Sequence, residues 1–577
     1  MSGKDVAAGY PPWAQELARR YLSRTLCQFV LHGNIHDLVP FGKKGKKAYR
    51  RVEAFMSHEF FASRQAVLLY DRANGIQFRD RASEEDFEQA AQELAAAGVL
   101  EKGAPIPRDP ARAFERMERY VRHRVQQRKG VALVLPFAET LVPMNEAGAT
   151  GAEERTLLVR LLNWAHDPML LGGDFTVVLL TENLANLNRA LVQSPYTASL
   201  EVELPGASER LDFLKSEVDA AREWSGISKV SRSAFAHLTA GMNLLSIRGI
   251  LLDAKENGRT IDRETLTEVK KDVIASEAYG LLEFVDTPYT LDDVAGYAQV
   301  REHLRQAVRA LKSGRHDVLP MGYLVCGPVG TGKTFMVTCF SAEVGMPMVK
   351  LRNFRSQWQG VTEGNLEKIL TLLKAMAPVC VMIDEADAAL GDRNASGDSG
   401  VSSRVFSQIA TFMSDTANRG RIIWFLITAR PDLMPVDLKR QGRAEEHLAL
   451  FAPSTREERL ELYQVMCRKT GIRLTDPAVV PSRVLDEHST FSGADMEAAL
   501  TRAKFRAASE GTDQVTPEML HEVFDDFLPP TYPDEIEFQT LQAVVESTSR
   551  KALPERYRQM DRGEVMARLE ELQTRVR

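Results

Sequence analysis

The segment from Gly327 to Thr334 reads GPVGTGKT and brings three glycines, a lysine and a threonine together. This order fits the pattern G-x-x-x-x-G-K-[ST], and it lies between an apolar run at 323–326 and a predicted helix. Glycines let consecutive backbone N–H groups turn toward one anion, and the N-terminus of the following helix adds positive potential. The segment therefore predicts a loop that binds ATP, with Lys333 reaching the β- and γ-phosphates and Thr334 ligating Mg²⁺. For this motif alone, a glycine-rich turn without a ligand is the alternative.

A pair of carboxylates closes another apolar run further along the chain. The run VCVMI at 379–383 is followed directly by Asp384 and Glu385. Two carboxylates at the end of a buried strand cost free energy unless they are paired or bind a ligand or metal ion. We predict that Asp384 holds the coordination shell of Mg²⁺ and that Glu385 orients and deprotonates an attacking water. Together the two segments predict a Mg²⁺-dependent ATP hydrolase.

Short apolar runs alternate with helical segments around both motifs. The predicted strands are the runs at 323–326, 348–351, 379–384 and 422–428. Wholly apolar strands separated by helices imply a parallel sheet that is covered on both faces. From about residue 453 the periodicity is helical, and we predict helices without strands there. The predicted fold class is therefore α/β, a parallel sheet sandwiched by helices and followed by an α-helical lid.

The first 280 residues show a similar alternation without the glycine-rich loop. The strand candidates lie at 27–33, 66–70, 130–137 and 175–181, ahead of a helical stretch at about 208–280. This order indicates a diverged internal duplicate, and an unrelated α/β domain is the alternative. Because the strand that ends at Gly33 is followed by Asn-Ile-His-Asp rather than a lysine-threonine pair, we do not expect ATP hydrolysis in this half.

Residues 290–527 resemble the AAA ATPases, a family of P-loop NTPases, through several separately placed signatures. The segment TLDDVAG resembles the entry segment whose backbone contacts adenine, which implicates Val294, Ala295 and Gly296. The segment SGAD is similar to the lid signature near the ribose, which implicates Gly493 and Ala494. The resemblance places the remaining nucleotide contacts at Gly327, Pro328, Val329, Gly330, Thr331, Gly332, Lys333, Thr334 and Phe335.

Two further signatures concern neighbouring subunits and substrates. LKRQGR at 438–443 resembles the site of paired arginine fingers, which implies that Arg440 and Arg443 reach the γ-phosphate bound by the next subunit; a solvated basic face is the alternative. SQWQGVTEGNL at 356–366 is similar to the first pore loop, so Trp358 would grip a threaded polypeptide, although simple packing of this side chain is an alternative. The resemblance thus implies a homo-oligomeric ring, a hexamer, that remodels or unfolds a protein substrate.

The sequence also departs from the family pattern near the predicted site. In ITARPD, Ala429 stands where the family has the polar sensor asparagine, which leaves Thr428 as the catalytic sensor candidate. Ala444, Glu445 and Glu446 replace the family's usual residues after the second arginine, which bears on the contact between subunits. These departures keep open a second function class, an ATP-gated assembly scaffold or switch with slow hydrolysis.

The predicted domains follow from these patterns. We expect a degenerate AAA-like domain at 1–280, with its sheet part at about 20–205 and its helical part at about 206–280. The large AAA domain is predicted at 281–452, the helical lid at 453–530 and a helical tail at 531–577. The amphipathic end of the tail suits docking on a neighbouring subunit, and capping of the lid within one subunit is the alternative.

Composition limits the partners. A chain of 577 residues is too long for one hydrophobic core, and its net charge of -6 gives no overall attraction to nucleic acid or anionic membranes. The run GKKGKKAYRR at 42–51 could contact phosphates, but we expect a solvated loop because no series of aromatic residues accompanies it. A nucleic-acid loader is therefore only a third function class. His32 and His36 lack a third ligand, so we expect no zinc site there.

The cysteines and the apolar runs bear on location. The five cysteines are scattered without C-x-x-C spacing, which favours buried free thiols in a reducing compartment. The first 20 residues lack the order of a secretory signal, and no uninterrupted apolar run approaches the roughly 20 residues that span a bilayer. We expect a cytoplasmic protein without membrane insertion.

Overall fold

The chain forms two compact units in the computed structural model. Residues 1–278 with 361–375 make up the first unit, and residues 279–360 with 376–577 make up the second. All five cysteines are free thiols, and four of them are buried. The structure describes residues 10–43, 46–144, 151–218, 220–278, 280–352, 363–390, 401–486, 491–529 and 532–576.

The first unit contains a six-stranded sheet among its described residues. The strands of this unit are β1 (Gln28–Gly33), β2 (Leu38–Lys43), β3 (Lys46–Arg51), β4 (Ala66–Asp71), β5 (Gly75–Phe78), β6 (Val131–Leu135), β7 (Phe175–Thr181) and β8 (Thr197–Val202). Strands β2 and β3 form a separate antiparallel hairpin, and the other six form the sheet. The sheet has the order β5-β4-β6-β7-β1-β8, and it is parallel except for the pairing of β5 with β4.

Helices surround this sheet and then form a separate helical cluster. The helices are α1 (Pro12–Leu22), α2 (Val52–Phe55), α3 (Arg81–Ala96), α4 (Pro110–Gln126), α5 (Ala152–His166), α6 (Pro168–Gly172), α7 (Arg189–Val192), α8 (Ala207–Glu217), α9 (Ala221–Ile227), α10 (Arg232–Leu238), α11 (Leu244–Asn257) and α12 (Arg263–Glu277). The last five pack around a core of their own that includes Phe213, Trp224 and Phe235.

The second unit contains another six-stranded sheet among its described residues, and its strand order is β14-β10-β13-β12-β11-β9. Its strands are β9 (Leu282–Val285), β10 (Gly322–Cys326), β11 (Met348–Leu351), β12 (Val379–Ile383), β13 (Ile422–Thr428) and β14 (Glu446–Ala449), and the short strands β15 (Arg473–Leu474) and β16 (Gln514–Val515) pair separately. Every residue of β10, β12 and β13 is buried, as expected for parallel strands covered on both faces.

The remaining helices are α13 (Ala298–Lys312), α14 (Lys333–Val344), α15 (Glu363–Met376), α16 (Ala386–Leu390), α17 (Val401–Met413), α18 (Arg456–Thr470), α19 (Ser482–Leu485), α20 (Gly493–Ser509), α21 (Pro517–Asp526), α22 (Pro533–Glu546), α23 (Glu555–Arg558) and α24 (Arg562–Arg575). All but one of them cover this sheet, build the lid or form the tail; the exception is α15, which belongs to the first unit except for its last residue. Lid helices α18 and α20 each begin with a capping box, at Thr455 and Ser492, which fixes where they start.

The two sheets share one topology. In the first unit the parallel strands run β4-β6-β7-β1-β8, and in the second they run β11-β12-β13-β10-β14. In each sheet, the first of these five strands along the chain lies between the fourth and the fifth. It is β1 between β7 and β8 in the first unit, and β10 between β13 and β14 in the second. The α/β fold class is confirmed, and the shared order agrees with the predicted internal duplication.

Three expectations need correction or completion. The lid is not purely helical, because β15 and β16 form a short parallel pair. The basic run at 42–51 is not simply a loop, since its described residues belong to the hairpin of β2 and β3. The tail contacts the sheet of its own unit: its helix α22 packs beside β14, and the Thr548 N–H donates to the His447 carbonyl at 3.3 Å, while docking of the tail's end on the lid or on a neighbouring subunit stays a prediction.

Candidate nucleotide-binding site

Strand register brings the predicted site residues to one edge of the second sheet. Cys326 at the end of β10 pairs with Thr428 at the end of β13, and Ile383 at the end of β12 pairs with Leu426. The glycine-rich loop follows Cys326, and the carboxylate pair follows Ile383. Ligands of open parallel sheets bind at this carboxyl edge of the strands.

The loop between β10 and α14 needs glycine at two crowded positions. Gly327 has φ +143°, and a Cβ there would lie 2.0 Å from the carbonyl oxygen of Leu450. Gly330 has φ +80°, and a Cβ there would lie 2.8 Å from the Cβ of Ser492, the N-cap residue of lid helix α20. Both positions therefore exclude a side chain by backbone conformation and by space.

The loop presents donors that the protein itself does not use. The backbone N–H groups of Gly330, Thr331 and Gly332 donate no hydrogen bond to any residue that the structure describes. These groups precede the N-terminus of α14, whose dipole adds positive potential. An arrangement of free N–H groups at a helix start fits a phosphate chain.

Lys333 is the first residue of α14, and its side chain folds back over the loop. Its Nζ donates to the carbonyl oxygens of Gly327 and Pro328, both at 2.8 Å. Burial lowers the pKa of Lys333 to about 8, although the nearby Asp384 acts in the opposite direction. The ammonium is thus desolvated without a carboxylate in direct contact, and an anionic ligand would relieve this cost.

Thr334 and Asp384 lie side by side. The Thr334 hydroxyl is 3.4 Å and 3.5 Å from the two carboxylate oxygens of Asp384. Lys350 on β11 pairs with the same carboxylate at 3.0 Å, and the Glu385 N–H donates to it at 3.1 Å. A hydroxyl and a carboxylate are oxygen ligands of the type that Mg²⁺ prefers, so this pair fits an ion held together with phosphate oxygens.

Glu385 occupies a strained position between β12 and α16. Its φ is +49°, an uncommon value for a residue with a Cβ, and its side chain is exposed. Non-glycine residues are held in this region at a cost of roughly 1–3 kcal/mol and cluster at functional sites. The turn directs Glu385 away from the core while Asp384 stays at the strand end.

The end of β13 presents Thr428 to the same edge. Its hydroxyl donates to an Asp387 carboxylate oxygen at 2.6 Å and accepts the Arg430 N–H at 2.8 Å. The polar group at the sensor position is therefore engaged with the carboxylate of α16. Ala429, which follows, is only partly buried and brings no polar side chain.

The predicted adenine segment lies at the start of α13. Val294 and Ala295 are buried, and the Gly296 N–H donates to Glu461 on lid helix α18 at 3.1 Å. The next residue, Tyr297, has φ +55°, and its hydroxyl donates to the carbonyls of Thr331 and Phe451, both at 2.9 Å. The entry segment is thereby tied to both the lid and the phosphate-binding loop.

The predicted lid contacts lie beside the loop. Gly493 begins α20 directly after Ser492, which faces Gly330, and Ala494 is exposed. Phe335 in the first turn of α14 packs against Tyr289 and lies under the Lys469 ammonium at 5.4 Å. The structure therefore brings together the loop, the carboxylate pair, Thr428, the entry segment and the lid residues.

The predicted arginine fingers do not join this cluster. Arg440 has 61% of its side chain exposed and lies 3.9 Å from Asp437. Arg443 donates to the Asp437 carbonyl oxygen at 2.6 Å, and its Nε is buried without a partner among the described residues. Both lie on the turn that leads into β14. Trp358 lies outside the described residues.

The loop after β1 in the first unit contains a buried carboxyl group that is bonded to the N-terminus of a helix. Asp37, behind Gly33 of β1, is buried, and its carboxylate accepts the backbone N–H groups of Leu244 and Leu245 at 3.0 Å and 2.9 Å. Burial raises the pKa of Asp37 against these hydrogen bonds, which act to lower it. The carboxylate occupies the N-terminus of α11, so this unit offers a less suitable place for phosphate.

Three residues of the second site escaped the sequence reasoning: Lys350, Tyr297 and Gln539. Lys350 left a weak signal, because it is the charged residue in the apolar run MVKL. Gln539 on tail helix α22 left none, yet its Oε1 accepts the Val329 N–H at 3.0 Å. Among the described residues, no cluster of three or more metal-binding side chains occurs, and no helix has the length and hydrophobicity to cross a membrane.

Three family models match the chain one after another. The N-terminal Rossmann-like domain of AAA+ chaperones matches residues 4–203, and their second helical domain matches residues 208–279. The model of the ATPase family associated with various cellular activities (AAA) matches residues 323–451. The matched regions contain the first sheet, the first helical cluster and the parallel strands β10 to β14 of the second sheet.

Curated relatives support the same assignment. ATP-dependent zinc metalloprotease FtsH 1 of Salinibacter ruber is 27% identical over 273 residues, which cover 46% of this chain and 39% of the relative. The cell division cycle protein 48 homolog of Archaeoglobus fulgidus is 25% identical over 404 residues, 64% of this chain and 54% of the relative. The uncharacterized AAA domain-containing protein ycf46 of Trieres chinensis is 26% identical over 372 residues, 60% of this chain and 73% of the relative.

The chain spans well under two thirds of the length of the first two relatives. The matched models nevertheless follow the order of the structural units, and the phosphate-binding loop lies inside the AAA match. The chain therefore belongs to the AAA ATPase family, and it carries an AAA+ chaperone N-terminal region ahead of its AAA domain.

Proposed function

We propose that the protein binds and hydrolyses ATP with Mg²⁺ and uses this cycle to remodel or unfold protein substrates as a homo-oligomeric ring, a hexamer. The observation that carries the proposal is the loop from Gly327 to Thr334: the unpaired N–H groups of Gly330 to Gly332 and the partly buried Lys333 lie beside the Thr334 and Asp384 pair. Family membership and the two ATPase-type relatives support it.

Each residue of the site would have a distinct role. The loop N–H groups and Lys333 would bind the phosphates, while Thr334 and Asp384 would hold Mg²⁺, which when bound neutralises phosphate charge. Glu385, exposed beside that pair, would orient the attacking water and take its proton. Thr428, fixed by Asp387, would orient groups near the γ-phosphate.

Ring formation would complete the site. Arg440 and Arg443 lie on an exposed turn of the same unit and would supply positive charge to the nucleotide of the neighbouring subunit. In such a head-to-tail ring, each interface contains one site and one set of fingers. Trp358 would contact the threaded polypeptide. We expect no nucleic-acid partner, and the cytoplasmic location stays a prediction of the sequence.

A second candidate is an ATP-gated assembly scaffold that hydrolyses slowly. Ala429 at the sensor position favours it, since the neighbouring Thr428 hydroxyl is already engaged with Asp387. Trp358→Ala separates the candidates. In a remodeller the variant keeps basal ATPase activity and loses work on its substrate, whereas in a scaffold it loses neither.

The primary test is nucleotide binding by the purified full-length chain. We expect Mg²⁺-dependent binding of ATP and ADP in titration calorimetry, and a loss of at least about tenfold in affinity in Lys333→Ala. Absence of Mg²⁺-dependent binding in the wild-type chain, or unchanged affinity in Lys333→Ala, would contradict the proposed site.

A further inference from the structure

The first tail helix, α22, reaches the phosphate-binding loop of its own unit. Gln539 on this helix is 5% exposed, and its Oε1 accepts the Val329 N–H at 3.0 Å. Its Nε2 donates to Glu535, one turn earlier, at 2.8 Å, which fixes the orientation of the amide. A buried amide with two hydrogen bonds therefore holds the loop backbone at Val329, a residue that is itself 58% exposed.

The same helix contacts the end of the sensor strand, which is β13 with Thr428 as its last residue. The Arg430 guanidinium lies over the Phe538 ring at 4.8 Å and within 4.0 Å of Glu535. The Arg430 backbone N–H donates to the Thr428 hydroxyl. The residues of α22 that surround Gln539 thus also pack against the segment that positions Thr428.

The C-terminal end of α22 contacts the segment that bears the finger candidates. Glu546 is paired with Lys439, the residue before Arg440, and lies 3.3 Å from His447 on β14. Glu546 and Lys439 are both largely buried, so this pair is held in a fixed geometry. One helix therefore connects the phosphate-binding loop, the sensor strand and the finger segment.

We propose that α22 is a working part of the nucleotide site, in which Gln539 is a positioning residue for the phosphate-binding loop. This role rests on the proposed function of the site. A loop that is already held in one conformation loses less conformational entropy when a ligand binds, so the Val329 hydrogen bond raises nucleotide affinity. The contacts of α22 with Arg430 and with Lys439 extend the same restraint to the end of β13 and to the finger segment.

Gln539→Met tests this role because methionine keeps the length and apolar stem of the side chain but cannot accept the Val329 N–H. We expect Kd for Mg²⁺-ADP and Mg²⁺-ATP, measured by titration calorimetry on the full chain, to rise about three- to tenfold. Gln542→Met is the matched control on the same helix, because within the described residues the Gln542 side chain forms no hydrogen bond. Its Kd should equal that of the wild type.

The outcomes separate a positioning role from simple packing. An unchanged Kd in Gln539→Met overturns the proposal. It is also overturned if Gln539→Met and Gln542→Met lose the same nucleotide affinity and both have a lower thermal midpoint of unfolding. A wild-type chain that binds no nucleotide instead removes the proposed function itself. Val329→Pro deletes the donor, so Gln539→Met should have no further effect in that background, and additive losses in the double variant count against the contact.

Discussion

The Lys333 ammonium is partly desolvated in the folded protein, which costs free energy. Burial lowers its pKa to about 8, so at pH 7 most molecules have the ammonium and at pH 9 most have the neutral amine. Because triphosphate binds the charged form, binding above pH 8 must include proton uptake. We therefore expect affinity for ATP to fall by up to about tenfold per pH unit above pH 8.

Titration calorimetry at pH 7 and pH 9, in buffers of different ionisation enthalpy, measures both the affinity and the proton uptake. Lys333→Arg is the control, because a guanidinium stays protonated across this range. Its affinity should be lower overall but independent of pH in this window. Equal wild-type affinity at pH 7 and pH 9 would contradict the role of the amine.

Glu385 is predicted to act on water rather than on nucleotide binding. Its exposed, left-handed position beside Asp384 leaves the carboxylate free to approach a reacting water. In Glu385→Gln we expect the ATPase rate to fall by about 10²-fold or more while ATP affinity changes little. Phosphate-release assays and titration calorimetry on the same preparation check the two parts. A variant that keeps more than roughly a tenth of the rate would exclude Glu385 as the base.

At the scale of elements, the phosphate-binding loop is fixed by its fit against the chain after β14. A Cβ on residue 327 would lie 2.0 Å from the Leu450 carbonyl oxygen, so Gly327→Ala must displace the backbone. We expect a loss of about 2–3 kcal/mol in unfolding free energy, measured by urea denaturation. Gly345→Ala at the end of α14 also has a positive φ, +76°, but open space for a Cβ, and it should cost only about 1 kcal/mol. Equal losses would show that the clash is unimportant.

The first unit offers a matching test of its loop. The Asp37 carboxylate caps α11 from 207 positions away in sequence, through the N–H groups of Leu244 and Leu245. In Asp37→Ala these amides lose a buried acceptor worth about 1–3 kcal/mol, so their hydrogen-exchange protection should fall at least about tenfold. Asp262→Ala, which removes the local cap of α12, is the control and should affect α12 alone. Unchanged protection at the start of α11 would rule out this anchoring.

At the scale of the whole molecule, fingers that act between subunits predict complementation. Lys333→Ala would lack nucleotide binding but keep its fingers, whereas Arg440→Ala with Arg443→Ala would keep the loop and lose the fingers. Each protein alone should be nearly inactive. In mixed rings roughly a quarter of the interfaces would join an intact loop to intact fingers, so ATPase activity should reappear. Phosphate release over a series of mixing ratios measures this, and no recovery at any ratio would argue against fingers in trans.

The sequence by itself determined the fold class, the family and the position of the nucleotide loop. These follow from contiguous residues: an eight-residue loop motif, apolar runs that form buried strands, and two carboxylates directly after one of them. Local patterns also located most strands of both sheets. They missed the outer strands β5, β8, β9 and β14, the lid strands β15 and β16 and the hairpin of β2 and β3, because short or charged strands lack the apolar run that signals a strand.

The tertiary structure alone decided which distant residues complete the site. Lys350 reaches Asp384 only because β11 and β12 are neighbours, and Gln539 reaches Val329 across 210 positions of sequence. The tail helix α22 likewise packs beside β14 of the sheet domain. Such contacts depend on how elements pack after folding, and no periodicity within a single segment encodes them.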